Sequence, residues 1–419
     1  MSSPVSLLVV GCGSRGKTYS EFALRCPERA RVVAVAEPRD EYRNALAERC
    51  GVPEHMRFHS WQEAARVPKL ADAVLICTLD EEHEAPAVTF AGLGYAILLE
   101  KPMATTEQAC RNIVDAVKRN HSIFAVCHVL RYTSQTRRIQ EFIHAGRLGR
   151  LVSMQRLEPV RHWHQCHSFV RGNWRNSEET CFMLLAKCCH DLDWMRYVMG
   201  KPCASIHSFG SLFEFTPANK PAGAADRCTE CPAEIEATCP SSALKIYMRD
   251  RVARGQAANW PTNVLTMDHT PGGVADALRK GPYGRCVYSC DNDVVDNQVV
   301  NIAFRDGSTA QLLMTAFCNV IGRVTRIFGT RGDLYADNER VIFTDFLTNE
   351  QETFPSEVDD GTILSGHGGG DFRIMDDFIA AVENNDPSRI LSDADETLES
   401  HLMCFKAEES RLTNKVISF

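Results

Sequence analysis

The stretch LLAKCCHDLDWMRYVMG, residues 184–200, places Lys187, His190, Asp191 and Asp193 inside an otherwise apolar helical repeat of Leu185, Cys188, Cys189, Leu192, Met195, Val198 and Met199. An imidazole titrates near neutrality, at about pH 6.5 when unperturbed, so one on a buried helix face is suited to taking a proton from a hydroxyl. Lys187 lies three residues from it on the same face, where burial and neighbouring positive charge would lower its pKa toward that of a useful base. Asp193 is placed to orient His190, whereas Asp191 points toward a loop and is assigned to substrate contact. A second lysine, Lys101, closes the apolar run AILLEKP. At the carboxyl edge of a sheet it would donate to a hydroxyl or carbonyl oxygen and steady developing negative charge. Lys101, His190 and Lys187 form a candidate catalytic set for moving a proton at a C–OH group.

Such a set needs a platform, and the N-terminal residues supply one. SLLVVGCGSRG is a strand-like run ending in Gly11-x-Gly13-x-x-Gly16, followed by the helical pattern KTYSEFALRCPE. These glycines suit a tight turn, close approach to a pyrophosphate and close helix–strand packing, with Ser14 and Arg15 inside the turn. A second strand, RVVAVA, ends at Glu37, 21 residues past Gly16, where an acid would bind the adenosine ribose hydroxyls. Glu37 favours NAD over NADP; Arg39 opposes that preference. Further strands, DAVLICT, AILLEKP and SIFAVCH, alternate with helical segments, which predicts a doubly wound parallel sheet.

Between this platform and the histidine helix lies HWHQCHSFVRGNWRN. Its forked donors and aromatic rings suit a sugar or polyol, and it reads as a substrate loop: His167, Arg171, Trp174 and Arg175 are assigned to it, with Arg131 and Tyr132 after the fifth strand. Residues 210–290 exceed what two domains need and hold Cys228-x2-Cys231-x7-Cys239, then Cys286 and Cys290. Cys228, Cys231, Cys239 and Cys290, with Cys286 as the substitute, are the candidate ligands of a structural zinc that would clip a long loop lacking its own core, with an iron–sulfur cluster and free or disulfide-bonded cysteines as the alternatives. The His367-Gly-Gly-Gly loop is read either as a substrate contact or as a flexible entry.

GCGSRG, the acid at Glu37, Thr78-Leu79-x-x-x-His83, Glu100-Lys101-Pro102 and the helix with His190 together resemble the glucose–fructose oxidoreductase, inositol dehydrogenase and rhizopine-catabolism (Gfo/Idh/MocA) family. VCHVLRY, VRGNWRNSEE, LLAKCCHDLD and CDNDVVDNQ resemble its branch of inositol-type dehydrogenases of streptomycin biosynthesis. The resemblance implies a Rossmann domain followed by an α/β domain with an open, mostly antiparallel sheet that often supports homo-oligomers. It adds Thr78, Leu79, His83 and Glu100 to Gly11, Gly13, Ser14, Arg15, Gly16, Glu37 and Lys101 as cofactor contacts. In the family this helix opens with an Asp; aligned on Asp193, that position falls on Ala186 here, while the histidine falls on His190. The expected division is 1–128 for the dinucleotide domain and 129–419 for the substrate domain.

The 419 residues are 44% hydrophobic and 24% charged, with a net charge of −8. Scattered Lys and Arg argue against nucleic-acid binding, and the absence of a long apolar stretch argues against a membrane span. The N-terminus lacks a basic segment before its apolar run, which reads as a strand and not a signal peptide; the expected compartment is the cytosol. The leading expectation is an NAD-dependent oxidoreductase acting on a secondary hydroxyl of a sugar, cyclitol or sugar derivative. Two alternatives stand beside it: an NAD-recycling glycosidase or lyase acting through a transient keto-sugar, and a non-catalytic dinucleotide sensor.

Overall fold

Leu7–Val10 is apolar at four successive positions because a central parallel strand is covered on both faces. The computed structural model describes residues 3–356 and 367–419. In it, β1 (Val5–Val10), β2 (Ala30–Ala36), β3 (Arg57–Phe58), β4 (Ala73–Ile76), β5 (Ala96–Leu99) and β6 (Phe124–Val126) form a parallel sheet ordered β3-β2-β1-β4-β5-β6. Leu7 and Val9 enter one core and Leu8 and Val10 the other. The order reverses between β1 and β4, and the glycine turn leaves β1 at that reversal.

A second sheet contains β7 (Leu151–Pro159), β8 (Cys203–Ser211), β9 (Asn297–Phe304), β10 (Thr309–Thr315), β11 (Val324–Gly329), β12 (Gly332–Ala336), β13 (Arg340–Asp345), β14 (Gln351–Pro355) and β15 (Ile417–Ser418). Its order is β14-β13-β12-β11-β7-β10-β9-β8-β15. Every pairing is antiparallel except β7 with β10, so the expected open, mostly antiparallel sheet is present. Sidedness is written in β10: Ala310, Leu312 and Met314 are buried, while Thr309, Gln311 and Leu313 are exposed. The inner face packs on helices Cys189–Met199 and Ala394–Thr413 through Leu192, Met195, Met403 and Ala407.

The C-terminal helices cross back. Ile374, Met375, Phe378 and Ile379 of helix Gly370–Asn384 join the core of the first sheet, and His401 Nε2 accepts from Met103 N at 2.8 Å. Residues from the expected second domain thus complete the first core and hold the sheets together. The Cys-rich insertion also departs from expectation. Between β8 and β9 it forms short helices around its own apolar cluster, with Phe215, Ile246, Tyr247, Val274, Leu278 and Val287 buried. It does not need a metal to replace a missing core. No helix among the described residues is long and apolar enough to cross a membrane.

Candidate active site

In an open α/β sheet the crevice for a ligand lies where the strand order reverses, and the glycine turn stands there. A Cβ on Gly11, whose φ is +91°, would sit 2.3 Å from the Cys77 carbonyl oxygen, and one on Gly16 would sit 2.0 Å from the Gly11 carbonyl oxygen. Those two glycines are fixed by packing of the turn itself. Gly13 differs: the nearest atom to a Cβ there is Arg39 Nη2, at 3.7 Å, so its backbone is open to a ligand. No side chain caps helix Ser14–Arg25, which leaves its first N–H groups available to an anion. Nearby, Thr78 Oγ1 is buried without a partner and Leu79 is half exposed. An open cradle and an orphaned hydroxyl fit a dinucleotide.

Glu37 is buried and accepts from Cys12 N at 2.9 Å and from Arg39 Nε at 2.7 Å and Nη2 at 3.0 Å. The acid and the arginine that pulled in opposite directions in the sequence are one ion pair. Burial disfavours the Glu37 carboxylate, but hydrogen bonds from Arg39 and the Cys12 amide outweigh it and lower its pKa. His83 has no ligand-facing surface: it is fully buried, with Nδ1 at 2.7 Å from the Pro102 carbonyl oxygen. Its expected cofactor contact is replaced by support of the loop after Lys101.

Lys101 stands on that loop, which follows β5. Glu100 accepts from Arg15 Nε at 2.7 Å, from Tyr19 Oη at 2.7 Å and from Lys101 N at 2.8 Å, and Arg15 also reaches Asp371 at 2.6 Å. The glycine-turn helix, the β5 loop and the C-terminal helix are therefore pinned together beside Lys101. Burial disfavours the Lys101 ammonium, but the Cys189 thiol, Asp80 and Glu100 more than compensate and raise its pKa.

The stretch expected as one helix is two, Met183–Ala186 and Cys189–Met199, broken at Lys187 and Cys188. The break leaves a helix-end carbonyl without an intrahelical donor. Lys101 Nζ donates to that carbonyl, Ala186 O, at 2.9 Å. The position that carries an acid in the family thus meets Lys101 through its backbone. His190 begins the next turn and is 8% exposed. Burial, then Lys101, His128, Arg323 and His367, push its pKa well below 6.5, so the ring is neutral at neutral pH; its Nδ1 has no partner among the described residues. Lys187 does not have the surroundings expected of it. A carboxylate, Glu158 of β7, lies 3.3 Å from its Nζ, and Arg323 joins the same Glu158 at 2.9 Å.

These groups meet in a pocket of about 300 Å³ bordered by Ser14 and Arg15 of the turn, Lys101, Lys187 and His190, and Trp174 and His167 of the segment read as a substrate loop. That segment is helical, with a π-helical turn over Gln165–Arg171, a geometry frequent at functional sites. Trp174 is held by Nε1 donating to Asp80 Oδ2 at 2.8 Å. His167 stacks on Tyr283, with centroids 4.8 Å apart, and its Nδ1 lies 2.8 Å from Tyr247 Oη. His367 also borders the pocket, oriented by Asp371 at 2.9 Å.

Several expected substrate contacts are structural instead. Arg131 is buried and pairs with both oxygens of Asp193, at 2.8 and 2.7 Å; Asp193 therefore serves that pair and does not orient His190. Tyr132 is buried against Ser392 Oγ at 3.1 Å. Asp191 is fully buried between Arg156 at 2.7 Å and Arg323 at 2.6 Å. Arg171 is buried behind the pocket, donating to Arg285 O and Ser241 O, and Arg175 pairs with Asp291 at 2.8 Å outside it. In each case a polar or charged side chain finds a tertiary partner that local spacing does not reveal. His164 of the segment read as a substrate loop also borders the pocket; Trp260, Val264 and Tyr283 of the insertion, together with Arg323, border it as well and were not singled out by the sequence. The clue available there was a Trp-Pro pair and a tyrosine in a segment without hydrophobic periodicity.

The zinc expectation is not supported. Cys228, Cys231, Cys239 and Cys286 border one space of about 20 Å³, but among the described residues no group of three or more His, Cys, Asp or Glu is arranged to hold a metal ion. Cys290 is turned aside, its Sγ 3.2 Å from the Cys286 carbonyl oxygen. All eighteen cysteines are free thiols.

Residues 5–128 match the model of an oxidoreductase family with an NAD-binding Rossmann fold, and residues 140–416 match that family's C-terminal alpha/beta domain. The putative oxidoreductase YteT of Bacillus subtilis strain 168 is 23% identical over 391 residues, 88% of this chain and 87% of that protein. Inositol 2-dehydrogenase 2 of Saccharopolyspora erythraea is 28% identical over 194 residues, 46% of this chain and 53% of that protein; the chain thus aligns with about half its length. Two solved structures share the fold: levoglucosan dehydrogenase in complex with NADH and levoglucosan, with a TM-score of 0.70, 16% identity and 99% of each chain covered, and an Agrobacterium radiobacter oxidoreductase in complex with NAD+, L-tartaric acid and magnesium, with a TM-score of 0.71, 11% identity, and 99% and 98% covered. With both of its domains matched across most of its length, this chain belongs to the Gfo/Idh/MocA family of oxidoreductases.

Proposed function

We propose that this protein oxidises a secondary hydroxyl of a sugar, cyclitol or sugar derivative with NAD. The observation that carries the reading is the convergence of Lys101 and His190 on the pocket that Ser14 and Arg15 of the glycine turn also border. The dinucleotide, when bound, accepts the hydride. Gly11, Gly13, Ser14, Arg15 and Gly16 would hold it at the turn, Glu37 at the ribose, and Thr78, Leu79, Glu100 and Lys101 toward the reacting end. Glu37 supports NAD over NADP as an acid suited to ribose hydroxyls, with its charge offset by Arg39.

His190 takes the hydroxyl proton, because burial and surrounding cations keep its ring neutral. Lys101 donates to the same oxygen while the hydroxyl becomes a carbonyl, steadying negative charge as it develops. Anchored on Ala186 O, it has few rotamers open to it. Lys187 and Arg323, both tied to Glu158, also border the pocket and serve as donors to neighbouring hydroxyls. Trp174, Trp260 and Tyr283 offer aromatic faces to a sugar ring and exclude water. Sugar- and cyclitol-named relatives support this substrate class.

The protein is further proposed to act in the cytosol as a homo-oligomer on small molecules alone. Free cysteines agree with that compartment. The second sheet offers an apolar row across its outer face, in which Phe209 pairs with Val299, Val299 with Leu313, Leu313 with Leu157 and Leu157 with Val324. The test of activity is NADH formation by the purified protein with NAD and a panel of cyclitols, sugars and glycosides. Net NADH from at least one is expected. Glycoside cleavage without net NADH, or tight NAD binding without turnover, would replace this reading with redox-neutral cleavage or with sensing.

A further inference from the structure

Behind the reaction pocket, on the other side of the Trp163–Trp260 ring pair, lies a groove of about 600 Å³. The two rings are 5.3 Å apart; Trp260 borders the reaction pocket and Trp163 the groove. Arg161, Arg251, Arg254 and Lys245 line the groove, and Asp250 is its one carboxylate among the described residues. Lys245 uses Asp250 at 2.7 Å, and Arg254 approaches it at 3.8 Å. Nothing is left for the other two. Arg161 makes no side-chain hydrogen bond or ion pair among the described residues, and its Nε is buried without a partner. Arg251 has only the neutral Gln256 oxygen, at 3.1 Å.

The two guanidinium groups nevertheless share one aromatic ring. Each lies 5.1 Å from the centre of the Trp163 ring, and burial with repulsion from Arg251 lowers the pKa of Arg161. Arg161 also adopts φ +72° and ψ +136°, a conformation that strains any residue other than glycine. Strain, like-charge proximity and an orphaned donor all oppose this arrangement in the free protein. An oxyanion between the guanidinium groups relieves two of the three, because phosphate and carboxylate oxygens accept from two forks at once.

We infer that the groove is an oxyanion site that receives the phosphate or carboxylate of an anionic sugar derivative whose reacting ring occupies the neighbouring pocket. The recognition elements are the Arg161 and Arg251 forks, both seated over the Trp163 ring. The assignment to the substrate rests on the oxidoreductase reading; the site itself does not.

Binding of inorganic pyrophosphate is measured by calorimetry on protein saturated with NAD, so that the glycine turn cannot answer for the groove. Wild-type protein is expected to bind it at low salt, with at least tenfold weaker binding in R251Q and in R161G. Glycine suits φ +72°, so R161G is expected to melt no lower than wild type, which separates loss of the site from loss of the fold. Absence of binding, or equal binding by wild type and both variants, overturns the site. With a substrate pair differing only in a carboxylate or phosphate, the variants should change the ratio of the two KM values at least tenfold while kcat stays the same. An unchanged ratio with intact pyrophosphate binding assigns the groove to a free anion and overturns the substrate-arm assignment. No turnover of any substrate would defeat the oxidoreductase reading while leaving the calorimetric result standing.

Discussion

In the proposed reaction His190 and Lys101 divide the chemistry, because their surroundings push them in opposite directions. The imidazole is kept neutral and the ammonium charged. Replacing His190 with Asn, or Lys101 with Met, is expected to lower kcat by roughly 10²–10⁴-fold, with NAD binding retained, as measured by NADH formation and by cofactor fluorescence. The pH profile follows from the direction of the shift. The neutral ring is the active form, so activity falls only as pH drops through the lowered pKa; the acid limb of kcat/KM should lie below about pH 6.5. A limb at or above that value would assign the base elsewhere. Trp260→Ala opens the aromatic wall and is expected to raise KM by roughly tenfold with a smaller change in kcat, a split read from saturation curves. Lys187 was legible as a pocket residue, but its carboxylate partner was not, because Glu158 comes from a strand 29 residues earlier in the chain.

Elements are locked together here by buried charge. Asp191 on helix Cys189–Met199 ties Arg156 of β7 to Arg323 just before β11. Asp191→Ala strands two guanidinium groups and is expected to cost about 3–5 kcal/mol of stability, measured by urea unfolding; a substrate contact would have changed KM and left the midpoint alone. The split of the histidine helix shows the limit of periodicity. Spacing identified the buried face, while the break at Lys187 depends on a lysine from another domain meeting the freed carbonyl. The π-helical turn over Gln165–Arg171 was equally hidden, since its wider ring shifts which residues share a face.

At the scale of the whole molecule, buried histidines set the acid limit. His128, His401 and His167 are all buried, with pKa values lowered to about 4, 3 and 3. In the unfolded chain they titrate near 6.5, so the unfolded state binds more protons between that pH and the lowered values. Stability is complete above about pH 6.5 and is lost progressively as pH falls toward 4. Melting at pH 5 is expected roughly 5–10 °C below that at pH 7, checked by calorimetry; an unchanged melting temperature would show that these rings are already charged. The outer sheet face gives a second prediction. Leu313→Glu places a charge in the Phe209–Val299–Leu313–Leu157–Val324 row and should convert the proposed homo-oligomer to a smaller species by light scattering. An unchanged mass would move the interface elsewhere.

The sequence alone determined the features that depend on neighbours along the chain. These were the glycine turn after an apolar strand, Glu37 closing the next strand, Lys101 at a strand's end, and His190 on a helix. Each is a local pattern whose physics operates over a few residues. What only the tertiary structure decided was which groups meet from 35 to 132 residues apart, Arg131 with Asp193, Asp191 with Arg156 and Arg323, and Lys101 with the Ala186 carbonyl, and that the insertion's Trp260 and Tyr283 border the pocket. A side chain's spacing fixes the face of its own helix or strand. Its partner, and hence its charge state and its work, is fixed by the packing of elements whose order in space is not their order in the chain.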